Sequence, residues 1–292
     1  MSNKTLDIVE VHKVNCDGNE ISFITNPKDE NTYLGIVSRK QILADSSIEH
    51  AVFLVYLDEK FKIANYVLLK TMEEEEQPSD NTDVKQINGI QNCILLNENM
   101  FMALVYGRTE LKIPMICLCH FKGEYIHTIT PFDTAGSLNP IILKYNLTNI
   151  FAIHSYSPFK IMSLNMDTGA NQIVNMVKVF NEEKFVVERG AATYLDDYKE
   201  YLLALRVEKD GKYLGSFWVT LTERFKLHGI SPQFLFNMNY KKNSSTKTTK
   251  TGETCTGLLV KNKTLYTSLN IDNEIFVYEY SLENVHKIIV KV

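Results

Sequence analysis

The sequence predicts an all-β chain, a five-bladed β-propeller with about four strands per blade. Three observations predict it. A turn motif recurs five times, strand signals fill the chain between its copies, and no segment of a dozen residues carries a 3.6-residue apolar period. Each copy is an apolar or aromatic strand end, a short polar or acidic turn, then another apolar run. The copies read Val55-Tyr-Leu-Asp-Glu-Lys-Phe-Lys-Ile63, Leu118-Cys-His-Phe-Lys-Gly-Glu-Tyr-Ile126 and Met162-Ser-Leu-Asn-Met-Asp-Thr-Gly169. The last two are Val219-Thr-Leu-Thr-Glu-Arg-Phe-Lys-Leu227 and Tyr278-Glu-Tyr-Ser-Leu-Glu-Asn-Val285. Their anchors Leu57, His120, Leu164, Leu221 and Leu282 lie roughly 45 to 63 residues apart, the spacing of one hairpin per blade. A propeller gathers loops from every blade at one end of its channel, and function is expected there.

Residues 33–38, 51–57, 101–106, 113–120, 150–154, 201–207, 213–221, 264–269 and 274–280 are short, β-branched or aromatic, and bounded by turn residues. Roughly twenty candidate strands make five blades of four. Residues 1–292 are expected to form one propeller domain. Two segments read as flexible loops: 73–84, with four consecutive glutamates before Pro78-Ser-Asp-Asn-Thr, and the Lys/Ser/Thr run 241–250. Segments 6–14 and 287–292 both read as strands, expected to pair and close the ring in one blade.

Composition narrows the functional classes. With 45% hydrophobic residues the chain can bury a large core, and a net charge of −4 without a basic stripe excludes nucleic acid as an expected partner. No stretch is long enough to span a membrane and the start lacks an apolar signal region, so a cytoplasmic protein without a membrane partner is expected. Five scattered cysteines predict free thiols in a reducing compartment. Cys117-Leu-Cys119-His120 lacks zinc-ligand spacing, and alternation on a strand puts His120 on the face opposite the two thiols. No metal site, phosphate loop or dinucleotide fingerprint is read, and no cofactor is expected.

Several stretches carry a family likeness. Ile150-Phe-Ala-Ile-His-Ser-Tyr-Ser-Pro-Phe-Lys-Ile-Met-Ser-Leu164, running on to Asp167-Thr-Gly169, is followed by Arg189-Gly-Ala-Ala-Thr193 and Lys212-Tyr-Leu-Gly-Ser-Phe217. Ile230-Ser-Pro-Gln-Phe234, Gly252-Glu-Thr-Cys-Thr-Gly-Leu258 and Ser268-Leu-Asn-Ile-Asp272 complete the series. In this order they resemble the five-bladed propellers of the β-mannoside glycoside hydrolase and phosphorylase group. They resemble still more the propeller-like domains that accompany glycosyltransferases, including those of large DNA viruses. The resemblance covers about residues 150–285 and extends loosely to Asn19-Glu-Ile-Ser22, Arg39 and Leu57-Asp58. It implies a glycan or sugar ligand and a glycosyltransferase as possible partner.

The departures bear on catalysis. Where the family carries Glu-Asp-Pro-Arg, whose aspartate is the proton donor, this chain reads Gln91-Asn92-Cys93-Ile94. An amide cannot deliver a proton, so the general-acid step is removed while the shape is roughly kept. Gly136-Ser-Leu-Asn-Pro140 replaces Glu-Lys-Asn-Trp, and Gly215-Ser216 replaces a His-Arg pair, which removes cations that phosphorolysis needs.

The resemblance makes Glu253 the candidate catalytic residue, placed to activate a water or accept from sugar hydroxyls; the residues alone also fit an exposed loop glutamate. Arg39, Asn92, His154, Arg189 and Asp272 are the candidate substrate-binding residues. The planar forks of Arg39 and Arg189 suit a carboxylate or vicinal hydroxyls, and equally a structural ion pair. His154 contacts ligand or is satisfied in the core; Asp272 lines the channel or holds a turn. Tyr156, Tyr213, Phe217 and Trp218 can stack on sugar rings or pack between blades. The expected function is a carbohydrate-binding, glycosidase-like propeller lacking full catalytic competence. The alternatives are an active hydrolase of a β-linked, mannoside-like glycan, pairing Glu253 with an acid such as Asp133, and a protein-interaction propeller without a sugar site.

Overall fold

The computed structural model describes residues 8–16, 20–42, 48–68, 70–71, 86–97, 100–108, 114–122, 125–132, 141–146, 148–153, 159–165, 167–168, 170–177, 185–209, 212–232, 254–271 and 274–292. The loops expected at 73–84 and 241–250 lie outside them. In chain order the strands are β1 (Ile8–Val14), β2 (Glu20–Thr25), β3 (Tyr33–Ile42), β4 (Ile48–Leu57), β5 (Ile63–Leu68), β6 (Lys70–Thr71), β7 (Gln86–Asn97) and β8 (Met100–Arg108). Next come β9 (Pro114–Lys122), β10 (Tyr125–Phe132), β11 (Ile141–Tyr145), β12 (Asn149–Ile153), β13 (Phe159–Asn165), β14 (Asn171–Val177), β15 (Phe185–Leu195) and β16 (Glu200–Lys209). The last are β17 (Lys212–Thr222), β18 (Leu227–Ile230), β19 (Thr254–Lys261), β20 (Thr264–Ile271), β21 (Glu274–Ser281), helix α1 (Leu282–Ile288) and β22 (Val290–Lys291).

These strands form five sheets, ordered β2-β3-β4-β5, β7-β8-β9-β10-β6, β11-β12-β13-β14, β15-β16-β17-β18-β22 and β19-β20-β21-β1. Within the four-strand units every neighbouring pair is antiparallel. The first strands touch in cyclic order, β2 to β7 to β11 to β15 to β19 and back to β2. This is a β-propeller, the fold class the sequence predicts. Side chains are described in four of the sheets; in the sheet of β7 to β10 only the backbone is.

Apolar layers fill the gaps between sheets. Ile141, Ile153 and Ile161 pack on Leu203, Leu205 and Val219. From the opposite face of the same sheet, Leu202, Ala204 and Trp218 pack on Leu265, Leu269 and Tyr280. Strand β16 is therefore covered on both faces and buried without interruption from Tyr201 to Val207, which is why it reads as an apolar run from Tyr201 to Leu205. The outermost strands are solvated: six of the seven residues of β14 are exposed or half-buried.

The recurring turn occupies one place in each sheet, at the end of the third strand. Its copies close the β4–β5, β9–β10, β13–β14 and β17–β18 hairpins, and the fifth leads from β21 into α1. Two copies are built alike. Asp58 N–H donates to the Lys62 carbonyl and Phe61 N–H to the Asp58 carbonyl, at 2.9 and 3.0 Å. Thr222 N–H to Lys226 and Phe225 N–H to Thr222 repeat the pattern at 2.8 Å each. Phe61 and Phe225 take left-handed backbone, φ 58° and 57°, which turns each ring back into the gap between sheets. Phe61 stacks on Tyr33 at 4.5 Å, and Phe225 stacks on Phe151 and Tyr201 at 5.4 Å each.

The chain ends depart from expectation. Ring closure does join early and late strands, but β1 pairs with β21, from Ile8↔Tyr280 to Val14↔Ile275. Segment 287–292 is not a strand that pairs with β1. Its first two residues end α1, and beyond Ile289 only β22 is strand, pairing with β18 of the neighbouring sheet. Ser281 caps the helix by accepting from Asn284 N–H, and Glu283 pairs with Lys287 one turn on at 2.6 Å. At seven residues α1 is too short to display a period in sequence. No helix among the described residues is long and apolar enough to cross a membrane.

Candidate functional site

The architecture fixes where the sequence-predicted residues attach. Arg39 lies near the end of β3, opposite Ala51. Asn92 lies midway along β7, and Arg189 lies in the first half of β15, opposite Arg206. Their side chains, and the whole of His154, Glu253, Asp272 and Asp133, lie outside the described residues. In the chain, Glu253 immediately precedes β19, His154 follows β12 and Asp272 follows β20.

Antiparallel pairing puts the start of a first strand and the end of a second strand at the same edge of a sheet. Four antiparallel strands return the chain to the edge it left, so successive first strands begin on one face of the ring. The attachment points of Glu253, His154 and Asp272 are all of this kind, and Arg39 stands close to another. The structure thus brings the strand ends that carry these residues to one face.

Strand register adds what sequence reasoning missed. In β7, pairing steps from Gln91↔Leu104 to Cys93↔Ala103, leaving Asn92 as the extra residue of a β-bulge. Glu188 is the extra residue between Val187↔Val207 and Arg189↔Arg206 in β15. Thr256 is the extra residue between Cys255↔Leu269 and Gly257↔Ser268 in β19. A bulge re-aims a side chain and bends the strand, and bulges recur beside functional sites. Neither Glu188 nor Thr256 has a local signal in the sequence, because a bulge exists only relative to a partner strand. Arg206, buried and in register with Arg189, also escaped notice.

The opposite face is packed. Tyr33 and Tyr201, at the starts of β3 and β16, lie beneath the two phenylalanine turns. Burial, then the neighbouring Tyr194 and Glu223, pushes the Tyr201 hydroxyl up to about 12. Burial, reinforced by Tyr266, raises Tyr33 as well. Tyr194 donates to Glu223, and that hydrogen bond is the main reason its hydroxyl is also pushed up to about 12. Lys144 Nζ lies over the Phe151 and Phe225 rings at 5.5 and 5.4 Å. At the start of β16, Glu200 is 6% exposed and faces two histidines. His228 Nδ1 on β18 is 2.6 Å from Oε1 and His286 Nε2 on α1 is 3.8 Å from Oε2. The closer contact has ion-pair distance but not the alignment of a hydrogen bond. This cluster pins α1 to the sheet of β15 to β18.

Cys16 and Cys255 are not in a disulfide, and burial pushes Cys255 up. Cys117, Cys119 and His120 lie on β9, where only the backbone is described.

No family model matches this sequence. No curated protein matches it either. Solved structures do. A β-1,2-mannobiose phosphorylase from Listeria innocua, in complex with β-1,2-mannobiose, aligns with TM-score 0.61 at 9% identity over 96% of this chain and 92% of its own. MPT-1, a GDP-Man-dependent mannosyltransferase from Leishmania mexicana, aligns with TM-score 0.55 at 10% identity over 96% and 91%. A GH43 β-xylosidase/α-arabinofuranosidase from a compost microbial metagenome, in complex with xylotriose, aligns with TM-score 0.54 at 8% identity over 94% and 92%. At these identities the likeness is one of fold: the chain shares its propeller with glycoside hydrolases, a phosphorylase and a mannosyltransferase.

Proposed function

We propose that this chain is a single-domain, five-bladed, carbohydrate-binding propeller whose sugar site lies on the face where the first strands begin, and that it lacks full catalytic competence. The observation that carries the reading is the likeness, over nearly the whole chain, to propellers whose names and ligands are mannobiose, xylotriose and GDP-Man. It is supported by the convergence on one face of the strand ends bearing Glu253, His154 and Asp272, with Arg39 nearby. The loss of competence rests on Gln91-Asn92 standing where an acid pair is expected. The likeness to a mannosyltransferase favours a place in glycan synthesis, with a glycosyltransferase as partner.

The experiment is a glycan array with purified protein run beside Glu253→Ala and Arg189→Ala. Specific binding lost in the variants supports the site. Absence of binding to every glycan turns the reading toward a protein-interaction propeller.

One observation favours an active hydrolase as second reading. Glu188, the bulge residue of a first strand, supplies a carboxylate besides Glu253, and glycoside hydrolysis needs two. Product analysis on the bound β-linked glycan decides it: release of sugar by the wild type and not by Glu188→Gln makes the chain an enzyme.

A further inference from the structure

We propose that Glu10, His12 and Glu279 form a binding site for a divalent transition-metal ion of the zinc class, which clips β1 to β21 and locks the ring closed. These are the residues among those described whose three ligand atoms lie within 4.8 Å of one another. Glu10 and His12 are two apart on β1 and so share a face, and Glu10 stands directly opposite Glu279 on β21. Like charges directly opposite on paired strands destabilise the pair unless something lies between them. Among the described residues, the group within 4 Å of either carboxylate that can carry positive charge is His12 itself, 3.9 Å from Glu10 and 2.6 Å from Glu279. One imidazole thus faces a carboxylate at each ring nitrogen, where a neutral ring has a single proton to offer.

A cation resolves this arrangement. The His12 and Glu279 side chains are 10% and 16% exposed, while Glu10 is 62% exposed and free to swing onto the ion. The buried Phe61 ring lies 5.4 Å from the imidazole and fixes its tilt. One imidazole with two carboxylates suits zinc or its first-row neighbours over magnesium or calcium, which take oxygen ligands only. Zinc bonds near 2.1 Å put adjacent ligand atoms about 3.4 Å apart, so the pair at 2.6 Å opens by under ~1 Å, a rotamer adjustment. Three protein ligands leave a position for water, on the exposed Glu10 side.

The test is zinc titration of chelator-stripped full-length protein by calorimetry, with thermal unfolding in parallel. The wild type is expected to bind one equivalent with a rise in melting temperature, and His12→Ala and Glu279→Gln to bind at least about tenfold more weakly without that rise. Magnesium at the same concentrations is expected to do neither. Cobalt substitution should give visible bands without thiolate charge transfer, which separates this site from the cysteines. Circular dichroism in chelator establishes that each variant is folded, and His12→Gln, which keeps a polar partner for Glu279, replaces His12→Ala where that variant is not. Equal zinc affinity in the folded His12 variant, or no binding by the wild type, overturns the proposal and leaves the His12–Glu279 hydrogen bond in its place.

Discussion

Replacing Gly190 by alanine tests the closeness of the first strands to their neighbours. A Cβ at Gly190 would lie 2.6 Å from Ile141 Cδ1, 2.7 Å from the Ala204 carbonyl oxygen and 3.1 Å from Leu205 Cδ2. The isoleucine end can rotate. The carbonyl cannot, because Ala204 sits in the β15–β16 ladder opposite Ala191. Gly35 is the control: its Cβ would meet only side chains, Ile21, Val55 and Leu57, at 3.0 to 3.1 Å. Neither glycine has left-handed backbone, so space alone decides. Overpacking a tight core costs about 1–3 kcal/mol, and loss of glycine's freedom in the unfolded chain returns about 0.4–1 kcal/mol. Gly190→Ala is therefore expected to destabilise by about 1–3 kcal/mol and Gly35→Ala by about 1 kcal/mol or less. Urea unfolding followed by Trp218 fluorescence reads both. Gly190 adjoins Arg189, so its variant should also weaken glycan binding, and Gly35→Ala should not. Equal stabilities, or a stabilised Gly190→Ala, would refute the close approach of β15 to β11 and β16.

Phe61→Ala removes a fully buried ring that touches Phe23, Tyr33 and Tyr266, and is expected to cost about 3–5 kcal/mol in the same assay. His228→Ala leaves the buried Glu200 with only the more distant His286, and about 1–3 kcal/mol should be lost at neutral pH. Glu200→Gln in that background should recover part of it, and no recovery would show the pair to be incidental. The raised hydroxyls of Tyr33 and Tyr201 make the folded state hold its protons longer than the unfolded chain. Their contribution is complete below the ordinary value of 10.0 and is lost as pH rises toward about 12 for Tyr201. Unfolding midpoints across that window should fall, less steeply in Tyr201→Phe; equal slopes would show that Tyr201 does not titrate this way.

The recurring turn was legible because it is local: strand end, polar turn and apolar return all lie within nine residues. The structure gives each copy the same place in its sheet, and the strands between copies follow their apolar and β-branched runs. Segment 287–292 reads as one strand because Ile288, Ile289, Val290 and Val292 carry the apolar content of a strand. What decides is the Ser281 cap and the Glu283–Lys287 pair, features of a single turn. The bulges at Asn92, Glu188 and Thr256 depend on how two strands slide past each other, which neither strand encodes alone. The same holds for the Glu200–His228–His286 cluster and for Glu10, His12 and Glu279, in which His12 and Glu279 are 267 positions apart. Spacing rules for metal or catalytic motifs cannot reach so far.

The residues of the proposed sugar site come from every sheet: Arg39 from β3, Asn92 from β7, His154 from the end of β12, Arg189 from β15, and Glu253 and Asp272 from the ends of β19 and β20. No blade carries enough of them to hold a sugar by itself. The spacing of the strand ends that carry them is therefore set by the apolar layers between sheets. The closure at β1 and β21 belongs to this logic. It is the one seam of the ring joined by strands far apart in the chain, and β19 and β20, which carry Glu253 and Asp272 at their ends, lie in the sheet it closes. Whatever holds that seam, a metal ion or the hydrogen bond between His12 and Glu279, also holds the sheet whose strand ends carry Glu253 and Asp272.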